Sequence, residues 1–305
     1  MHDLISFKKH KAQIDQPCVC PACGRSVVDI AYVYKDGEKK SIFFECRDCT
    51  FLFARPICIP ELDKRQMDGV ENAELFNSEI LKSVYTNYFI KKEIRTLRRA
   101  KGAGALRLLD IGCGTGWTTR VYADHGFEVM GLEPSQVRAD YARKKYGIEV
   151  VCDYIENVEF DNEFDVVVLR HIIEHFADPG MVLRKIRGFL KKDGVMLVVV
   201  PNINCLGRYL FETRWAWVLP WHCNFFTPGS LQKLLQNEGF VTVEHYQTPT
   251  PLYYPGAFIR TFPNALVKWV MGRNRILAMG LCTPLAFVGK WLGKGDNLNV
   301  LSRLE

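Results

Sequence analysis

No apolar run in this sequence is long enough to cross a bilayer. The longest uncharged stretch in its C-terminal part covers residues 276–289, whereas a spanning helix needs about 20 predominantly apolar residues. Residues 1–15 carry a charge every few positions and lack the apolar segment, followed by small residues, that is typical of a secretory signal. We therefore expect a protein that stays in the cytoplasm.

The composition excludes intrinsic disorder as the main state of the chain. Of 305 residues, 48% are hydrophobic and 24% are charged, which is an ordinary globular profile. At roughly 100–200 residues per domain, the length suits one large domain with a small one, or two domains of medium size. No internal repeat or low-complexity tract is visible in the sequence.

The 11 cysteines do not predict a disulfide framework, because cytoplasmic thiols are kept reduced. Four of them form two Cys-x-x-Cys pairs, Cys20 with Cys23 and Cys46 with Cys49, a spacing typical of a structural zinc site. Two such pairs supply four thiolates to a tetrahedral Zn²⁺ ion, and Gly24 allows the positive φ that the first turn needs. Cysteines packed only as small apolar residues would not explain the paired spacing.

We place a small zinc-ribbon domain in residues 1–60. Two β-rich runs between the cysteine pairs meet at an Asp-Gly turn, which predicts a hairpin. A zinc ion with four thiolate ligands has no open position, so its role would be to fold a segment too small for a core of its own. Such ribbons also bind nucleic acid, which the net charge of +6 permits, although the distribution of that charge points elsewhere.

The rest of the chain follows the pattern of an open α/β sheet. Residues 61–104 predict a linker and one amphipathic helix, since apolar residues recur at helical spacing from about residue 75 to residue 99. Beyond residue 105, uncharged β-branched runs alternate with helical stretches, which indicates a parallel sheet covered by helices on both faces. Ligands of such sheets bind at the carboxyl ends of the strands.

A glycine-rich loop follows the first strand of that sheet. It reads Asp110-Ile-Gly-Cys-Gly-Thr-Gly116, and its glycines allow a tight turn and close approach of a ligand to the backbone. A dinucleotide fingerprint has Gly or Ala where this chain has Trp117, and an acid under the loop disfavours a pyrophosphate. Glu133 ends the second strand, where a carboxylate can accept both hydroxyls of a ribose, and Asp153 follows the third, within reach of an adenine amino group.

Together these motifs resemble the class I S-adenosylmethionine-dependent methyltransferases. The resemblance covers about residues 104–247 and extends to the final Asn-Val-Leu-Ser-Arg-Leu as a last, antiparallel strand. It implies S-adenosylmethionine as cofactor and, in residues 105–305, an α/β fold with a doubly wound, seven-stranded, Rossmann-like sheet. The residues that it implies for cofactor binding are Asp110, Gly112, Cys113, Gly114, Gly116, Glu133, Asp153 and Arg170.

The resemblance also implies a role for most of these residues. The three glycines would cradle the amino-acid part of the cofactor, and Asp110 would order their loop. Glu133 would hold the ribose, Asp153 would bind the adenine, and Arg170 would line the methionine end. Generic turn glycines and solvated acids are the alternative interpretation of each position taken singly.

Two further segments resemble the small-molecule O-methyltransferases of the ubiquinone type. One is Arg-His-Ile-Ile-Glu-His-Phe-Ala-Asp-Pro at residues 170–179, and the other begins with His222-Cys-Asn-Phe-Phe-Thr-Pro. Methyltransferases that carry an N-terminal ribbon with two Cys-x-x-Cys pairs are familiar in sugar and cell-surface glycan pathways. The resemblance thus implies methylation of a small-molecule, sugar or lipid-linked acceptor, most favourably at oxygen.

Four residues are candidates for the chemistry at the acceptor: His171, Glu174, His175 and His222. Residues at i, i+3 and i+4 share one helical face, so the first three could point together. One interpretation makes a histidine the general base, oriented by Glu174, because imidazole titrates near neutral pH. The other makes the set a divalent-metal site, although the related family pattern has Glu where this chain has His171. Capping by Glu174 and His175 and a buried structural His222 are the alternatives without chemistry.

Residues 248–295 contain six basic residues and no acidic one, and these six equal the net charge of the chain. Apolar and aromatic residues are interleaved with them. The pattern suits an amphipathic segment on an anionic membrane, or a helical lid over the acceptor site with its basic residues in solvent. Both interpretations place the acceptor below this insertion, and a membrane-facing insertion would favour a lipid-linked acceptor.

Methyl transfer from S-adenosylmethionine, with structural Zn²⁺ in the ribbon, is the function that the sequence favours. RNA methylation with the ribbon gripping RNA is the second enzymatic interpretation, and nucleic acid is the less favoured partner. The third interpretation is a non-catalytic S-adenosylmethionine-binding protein, which would bind the cofactor without turnover and would tolerate His222→Ala.

Overall fold

A computed structural model describes residues 4–5, 19–26, 28–36, 39–55, 79–161, 163–218 and 222–305. These residues form two β-sheets and the helices that pack on them. Residues 56–78, which include the end of the expected ribbon, the linker and the start of the expected helix, lie outside the described residues, as does the hairpin turn at residues 37–38.

A seven-stranded sheet forms the centre of the larger domain. Its strands, in spatial order, are β11 (Phe240–Thr248), β12 (Asn297–Leu304), β9 (Leu190–Pro201), β8 (Phe164–Arg170), β5 (Leu106–Ile111), β6 (Phe127–Leu132) and β7 (Glu149–Val151). The strands from β9 to β7 are parallel, and β12 is antiparallel to both of its neighbours. The expected seven strands and the antiparallel last strand are therefore present.

Helices cover both faces of this sheet because its central strands are apolar on both sides. The helices before the insertion are α1 (Glu79–Tyr85), α2 (Lys91–Lys101), α3 (Trp117–Asp124), α4 (Gln136–Tyr146), α5 (Pro179–Phe189), α6 (Leu206–Phe211) and α7 (Pro228–Asn237). A π-helical turn, Thr86–Ile90, joins α1 to α2. In β8, Val167 and Leu169 lie in one core with α5 and α7, whereas Val166 and Val168 lie in another with α2 and α3.

The N-terminal residues form a second, antiparallel sheet. Its strands, in spatial order, are β1 (Leu4–Ile5), β2 (Val28–Asp36), β3 (Lys39–Cys46), β4 (Leu52–Arg55) and β10 (Asn224–Phe225). The expected hairpin consists of β2 and β3, and β4 pairs with β10 from the larger domain. Phe51 and Phe53 lie in one core with Phe226 and with Leu231 and Leu234 of α7. The N-terminal segment is thus joined to the larger domain by a shared sheet and a shared core.

The insertion at residues 248–295 is helical. A 3-10 turn, Pro251–Tyr253, leads into α8 (Tyr254–Thr261), α9 (Ala265–Gly272) and α10 (Arg275–Trp291). Trp215, Tyr254 and Cys282 belong to a separate small core at the base of these helices. No helix in the described part of the chain is long and apolar enough to cross a membrane.

Candidate active site

The glycine loop, residues 112–116, connects β5 to α3 and uses backbone conformations that other residues rarely adopt. Gly112 and Gly116 have φ of +69° and +78°. A Cβ atom on Gly112 would lie 2.2 Å from Ile172 Cδ1, and one on Gly116 would lie 2.6 Å from Ala142 Cβ. The loop therefore packs closely against α4 and against the segment that follows β8.

Two buried carboxylates hold this part of the chain through different contacts. Glu133 accepts hydrogen bonds from the backbone N–H groups of Gly114, at 2.9 Å, and Ser135, at 3.0 Å. Asp110 accepts a hydrogen bond from the Thr119 hydroxyl at 2.6 Å. The sequence predicts that Asp110 orders the loop. In the structure, the hydrogen bond that Asp110 accepts fixes the first turn of α3, and it is Glu133 that accepts a hydrogen bond from a loop amide.

Burial changes the charge state of Asp110. Removal from water raises the pKa of this carboxyl to about 7, since the hydrogen bond from Thr119 lowers the pKa less than burial raises it, and the nearby Glu133 carboxylate raises it further. A carboxyl with such a pKa is partly protonated at neutral pH. A cation bound at the loop would favour its ionised form.

Two other residues expected at the cofactor lie near the end of β7. Asp153 is half-buried, and its Oδ1 accepts hydrogen bonds from Tyr154 N, at 2.8 Å, and from Asn157 Nδ2, at 2.7 Å. The Cys113 side chain packs with Ala142 in a small core between α4 and β7. Only the backbone of Cys113 is therefore available to a ligand. The expected contact of Asp153 with an adenine stays a prediction.

Arg170, the last residue of β8, belongs to a buried polar cluster on the face that α2 and α3 cover. Tyr122 OH donates to Glu93 Oε2 at 2.6 Å. Arg170 Nη2 donates to Tyr122 OH at 3.0 Å and also to the Glu93 carboxylate. Because Glu93 is buried, the guanidinium compensates its charge and ties the end of β8 to α2. The expected place of Arg170 at the methionine end stays a prediction.

Three of the four expected acceptor residues converge beside the glycine loop. Potential ligand atoms of Glu174, His175 and His222 all lie within 4.8 Å of one another. Glu174 and His222 are buried, and neither carboxylate oxygen of Glu174 has a hydrogen-bond partner among the described residues. Ile172, which lies beside Gly112, is two residues before Glu174 in the same short segment. The cluster therefore adjoins the expected cofactor loop.

The hydrogen bond of His222 determines its tautomer. Its Nδ1 lies 3.0 Å from the backbone O of Trp217, and because a carbonyl can only accept, Nδ1 donates and Nε2 keeps its lone pair. Burial, together with the neighbouring His175, lowers the pKa of His222 to about 3, so the ring is neutral. Burial alone would raise the pKa of Glu174, but the surrounding histidines outweigh it and the pKa is lowered. A neutral imidazole thus lies beside a buried carboxylate.

The side chains of His171 and Glu174 do lie together, as the spacing predicts, but the helical face that the prediction assumed is not formed. His171 has φ of +53°, and only Ile173–His175 form a short 3-10 turn. The chain turns sharply after β8, so helical spacing does not apply. His171 Nδ1 lies 3.6 Å from Glu174 Oε1, and its ring stacks on Trp217 with the ring centroids 4.7 Å apart.

Trp217 is a site residue that the sequence did not lead us to expect. Its ring lies 5.8 Å from the His222 ring and 4.4 Å from the Tyr253 ring, between centroids. Its indole Nε1 is buried and has no hydrogen-bond partner in the part of the chain that the structure describes. The Trp-Ala-Trp sequence at residues 215–217, shortly before His222, is the feature that could have identified it.

The four predicted zinc ligands also converge. The Sγ atoms of Cys20 and Cys49 are 3.6 Å apart, those of Cys23 and Cys46 are 3.5 Å apart, and all four lie within 4.8 Å of one another. A tetrahedral Zn²⁺ with Zn–S bonds of about 2.3 Å separates its sulfur atoms by roughly 3.8 Å, whereas a disulfide brings two of them to about 2.05 Å. The arrangement fits one zinc ion and does not fit two disulfides.

The two cysteine pairs have the same backbone turn. Gly24 N donates to Cys20 O at 2.8 Å, and Thr50 N donates to Cys46 O at 2.9 Å. Both donors lie in the left-handed region, with φ of +73° and +58°. The sequence predicts this conformation at Gly24, but Thr50 adopts it without being glycine. Two copies of one turn therefore present the four thiols to a common point.

Backbone hydrogen bonds link the cysteine cluster, Cys20, Cys23, Cys46 and Cys49, to the acceptor cluster, which consists of Glu174, His175 and His222. Ala54 N, on β4, donates to Cys223 O at 2.8 Å, and Cys223 N donates to Glu174 O at 3.0 Å. Because Cys223 directly follows His222, these bonds hold His222 beside Glu174. The N-terminal sheet thus supports one wall of the acceptor cluster.

Comparison with known proteins assigns the family of this chain. A family described as "Methyltransferase domain" matches residues 83–245, which is more than half of the chain. The matched range contains the glycine loop, both buried carboxylates near it and the whole acceptor cluster.

Two similar proteins are named ubiquinone biosynthesis O-methyltransferase. The one from Bradyrhizobium diazoefficiens is 30% identical over 166 residues, which cover 50% of this chain and 66% of that protein. The one from Rhodopseudomonas palustris is 27% identical over 168 residues, with the same coverage of 50% and 66%. The match thus spans slightly less than two thirds of each of these relatives.

A solved structure shows the same fold. The 1,6-didemethyltoxoflavin-N1-methyltransferase of Burkholderia thailandensis, with bound 1,6-didemethyltoxoflavin and S-adenosylhomocysteine, superposes with a TM-score of 0.50 at 15% identity. The superposition covers 89% of this chain and 97% of that chain. The chain therefore belongs to the methyltransferase domain family and carries the domain of an S-adenosylmethionine-dependent methyltransferase.

Proposed function

We propose that this protein transfers the methyl group of S-adenosylmethionine to an oxygen atom of a small-molecule, sugar or lipid-linked acceptor. The observation that carries the proposal is the buried Glu174 carboxylate, which lies with His175 and His222 beside the glycine loop and has no hydrogen-bond partner among the described residues. The names of the similar Bradyrhizobium and Rhodopseudomonas proteins, both O-methyltransferases, support oxygen as the methylated atom.

The glycine loop and its two acids would hold the cofactor. Bound S-adenosylmethionine supplies the methyl group and carries a positive charge on its sulfur. The backbone of residues 112–116 would bind its amino-acid part, and Glu133, already held at the loop by Gly114 N, would accept the ribose hydroxyls. The buried Asp110 would add negative charge near the sulfonium.

Glu174 and His222 would hold the acceptor hydroxyl, and Glu174 would take its proton. Methyl transfer requires the acceptor oxygen at about 3–3.5 Å from the methyl carbon, in line with the breaking bond. A carboxylate and an imidazole Nε2 with its lone pair both accept a hydrogen bond from the acceptor hydroxyl. Because the pKa of His222 is lowered to about 3, its ring would orient the hydroxyl, and the proton would pass to Glu174.

The side chains of Glu174, His175 and His222 also fit a divalent cation. One carboxylate and two imidazoles are a common ligand set for zinc and for other divalent metals. The Trp217 carbonyl accepts a hydrogen bond from His222 Nδ1 and so leaves Nε2 free to bind a metal. A cation held by Glu174, His175 and His222 would polarise the acceptor oxygen and lower the pKa of its hydroxyl.

We also infer that Cys20, Cys23, Cys46 and Cys49 hold a structural Zn²⁺ ion. The spacing of their sulfur atoms and the two equal turns support this assignment. Four thiolates leave no open position, so the ion would stabilise the N-terminal sheet and take no part in methyl transfer.

Cofactor binding is the first test of the proposed function. Calorimetric titration of the purified protein should show S-adenosylmethionine binding, and Glu133→Gln should weaken it by about 10–100-fold, because hydrogen bonds to a charged group contribute about 1.5–3 kcal/mol. Glu128→Gln, at an exposed position on β6, the strand that precedes Glu133, should bind as the wild type does. Transfer is then followed from methyl-labelled S-adenosylmethionine into small-molecule, glycan and lipid fractions, with the methylated atom identified by mass spectrometry. Absence of cofactor binding by folded protein would contradict the proposal.

The affinity for S-adenosylmethionine should rise with pH through about 7. Burial raises the pKa of Asp110 to about 7, so its carboxyl is neutral below that pH and charged above it. Because the charged form attracts a sulfonium, the Kd should fall several-fold between about one pH unit below this value and one unit above it. S-adenosylhomocysteine lacks the sulfonium charge and should show a smaller change, and Asp110→Asn should remove the dependence. A Kd of the wild type that is constant over this range would contradict the role of Asp110.

A further inference from the structure

The outer face of the insertion is apolar where a surface helix is normally polar. Helix α9, Ala-Leu-Val-Lys-Trp-Val-Met-Gly, has one charged side chain and no buried residue. Leu266 and Trp269 in α9 are 69% and 60% exposed, and Trp291 at the end of α10 is 91% exposed. Exposed apolar surface of this extent marks an interaction site.

Helix α10 carries its larger apolar residues on the outside. Its inward face has the small residues Ala278, Cys282 and Ala286, which are buried. Its exposed apolar positions recur at the spacing of a helical stripe, at Leu277, Leu281, Val288 and Trp291. Packing against the domain explains the small residues, but the stripe of large residues is in contact with solvent.

Neighbouring helices extend this surface. Tyr209 and Leu210 of α6 are exposed, and Lys294 Nζ lies 4.7 Å from the centroid of the Tyr209 ring. We call the exposed side chains of α6, α9 and α10 the insertion face. It holds a large part of the exposed apolar side chains in the described residues.

Positive charge borders the insertion face. Residues 248–295 contain six basic residues and no acidic one. Arg273 lies 5.8 Å from the Trp269 ring centroid, and Lys290 lies 5.8 Å from the Phe287 ring centroid. Arg273 thus lies beside an exposed ring of the insertion face, and the exposed Lys290 lies between Val288 and Trp291 on α10.

We propose that the insertion face docks on an anionic lipid bilayer. Leu and Trp side chains enter the boundary between head groups and acyl chains, and Lys and Arg side chains are attracted by anionic head groups. A second copy of this chain is a poorer occupant, because a symmetric contact would place the same basic residues against each other. Nucleic acid would pair with the basic residues but would leave the stripe of α10 in water.

The base of the insertion is in contact with the active site. Tyr253, just before α8, packs on Trp217, which stacks on His171. An apolar cavity of about 160 Å³ lies beside α10, with Leu81, Tyr85, Tyr88, Met279, Thr283 and Phe287 in its walls. The Tyr85 ring lies 5.6 Å from Trp117, the first residue after the glycine loop. That the bilayer supplies the acceptor rests on the proposed function, whereas the docking itself does not.

Flotation of the purified full chain with lipid vesicles tests the docking. The protein should float with vesicles of phosphatidylcholine and phosphatidylglycerol in equal parts, should bind phosphatidylcholine alone much more weakly, and should be released by salt. Leu281→Gln with Trp291→Gln, and separately Lys268→Gln with Arg273→Gln, should each lower the partition coefficient by about tenfold or more. The matched control is Val241→Gln with Val243→Gln, exposed apolar positions on β11, which should bind as the wild type does.

The outcomes separate docking from its alternatives. Failure of the wild type to float with the anionic vesicles, or equal binding by all variants, would overturn the proposal. So would a dimer that dissociates in the Leu281→Gln, Trp291→Gln variant without any vesicle binding, or RNA retention that only the charge variant loses. S-adenosylmethionine titrations of the same proteins keep the two proposals apart, because lost flotation with normal cofactor binding would overturn docking alone.

Discussion

Glu174→Gln is expected to abolish methyl transfer and to leave the affinity for S-adenosylmethionine unchanged. The substitution keeps the size of the side chain but removes a negative charge from among the neighbouring histidines. The acceptor cluster would then lack its carboxylate proton acceptor and, with a divalent cation in place, one of the ligands. We expect kcat to fall by about 10²–10⁴-fold, measured with methyl-labelled cofactor at saturation.

Thermal unfolding separates this effect from a loss of structure. The lowered pKa of Glu174 means that the neighbouring histidines, with His171 Nδ1 3.6 Å from Glu174 Oε1, outweigh the cost of burying its charge, so removal of that charge costs some stability. The melting temperature of Glu174→Gln should therefore fall by only about a few degrees, which leaves the protein folded under assay conditions. The exposed Glu128→Gln serves as control for turnover and melting. Wild-type turnover by Glu174→Gln would contradict the assignment, as would joint loss of turnover and cofactor binding.

Metal dependence distinguishes the two mechanisms that the acceptor cluster allows. The wild type is treated with a chelator mild enough to leave the zinc content of the protein unchanged. Turnover that falls and returns with added Mg²⁺ or Zn²⁺ would assign a cation to Glu174, His175 and His222. Unchanged turnover would assign proton removal to Glu174 without a metal.

The elements that form the cofactor side of the site could be predicted because each of them is determined by a short, continuous segment of the sequence. Each strand of the parallel sheet is a short apolar run, and each turn after it carries its own glycines or acids. Asp110, Gly112 and Glu133 therefore lie where the strand pattern places them, at the carboxyl ends of β5 and β6. The cysteine pairs are equally local, since each one forms a complete turn.

The acceptor side could not be predicted in the same way because distant residues build it. Helical spacing does not describe the segment at His171, whose positive φ ends β8 in a turn. His222 reaches Glu174 only because Cys223 N bonds to Glu174 O, across 49 residues of sequence from Cys223. Trp217 belongs to the site because its ring stacks on His171 and its backbone O accepts a hydrogen bond from His222. No periodic pattern in the sequence predicts contacts of these two kinds. The two-residue strand β10 is likewise too short to show any alternation.

Cys46→Ser is expected to release zinc and to abolish methyl transfer while cofactor binding persists. Structural Zn²⁺ contributes about 10–16 kcal/mol in zinc-finger peptides, and whole domains are stable by only about 5–15 kcal/mol. Without the ion, the two cysteine turns have no common centre. We expect the sheet that they anchor to lose its order from β2 to β4.

We expect the disorder of the N-terminal sheet to displace the acceptor cluster, because β4 pairs with β10 next to His222. Ala54 N, on β4, holds Cys223, and Cys223 holds Glu174, so the disorder of β4 would free the chain that carries His222. The hydrogen bonds of Asp110 and Glu133 reach α3 and the residues around the glycine loop instead. The Kd for S-adenosylmethionine should therefore change much less than turnover and stay within about threefold, which corresponds to a coupling of about 0.6 kcal/mol.

Metal content, turnover and calorimetric titration of the same preparations decide this point. Cys282→Ser, at a buried cysteine outside the cluster, should retain zinc and turnover. Zinc returned to chelated wild type should restore turnover but should have no effect on Cys46→Ser, which separates loss of the ion from damage by the chelator. Full turnover by zinc-free protein would show that the acceptor cluster does not need the N-terminal sheet. Loss of cofactor binding as well would show that the core shared by Phe51 and Phe226 couples the two sites.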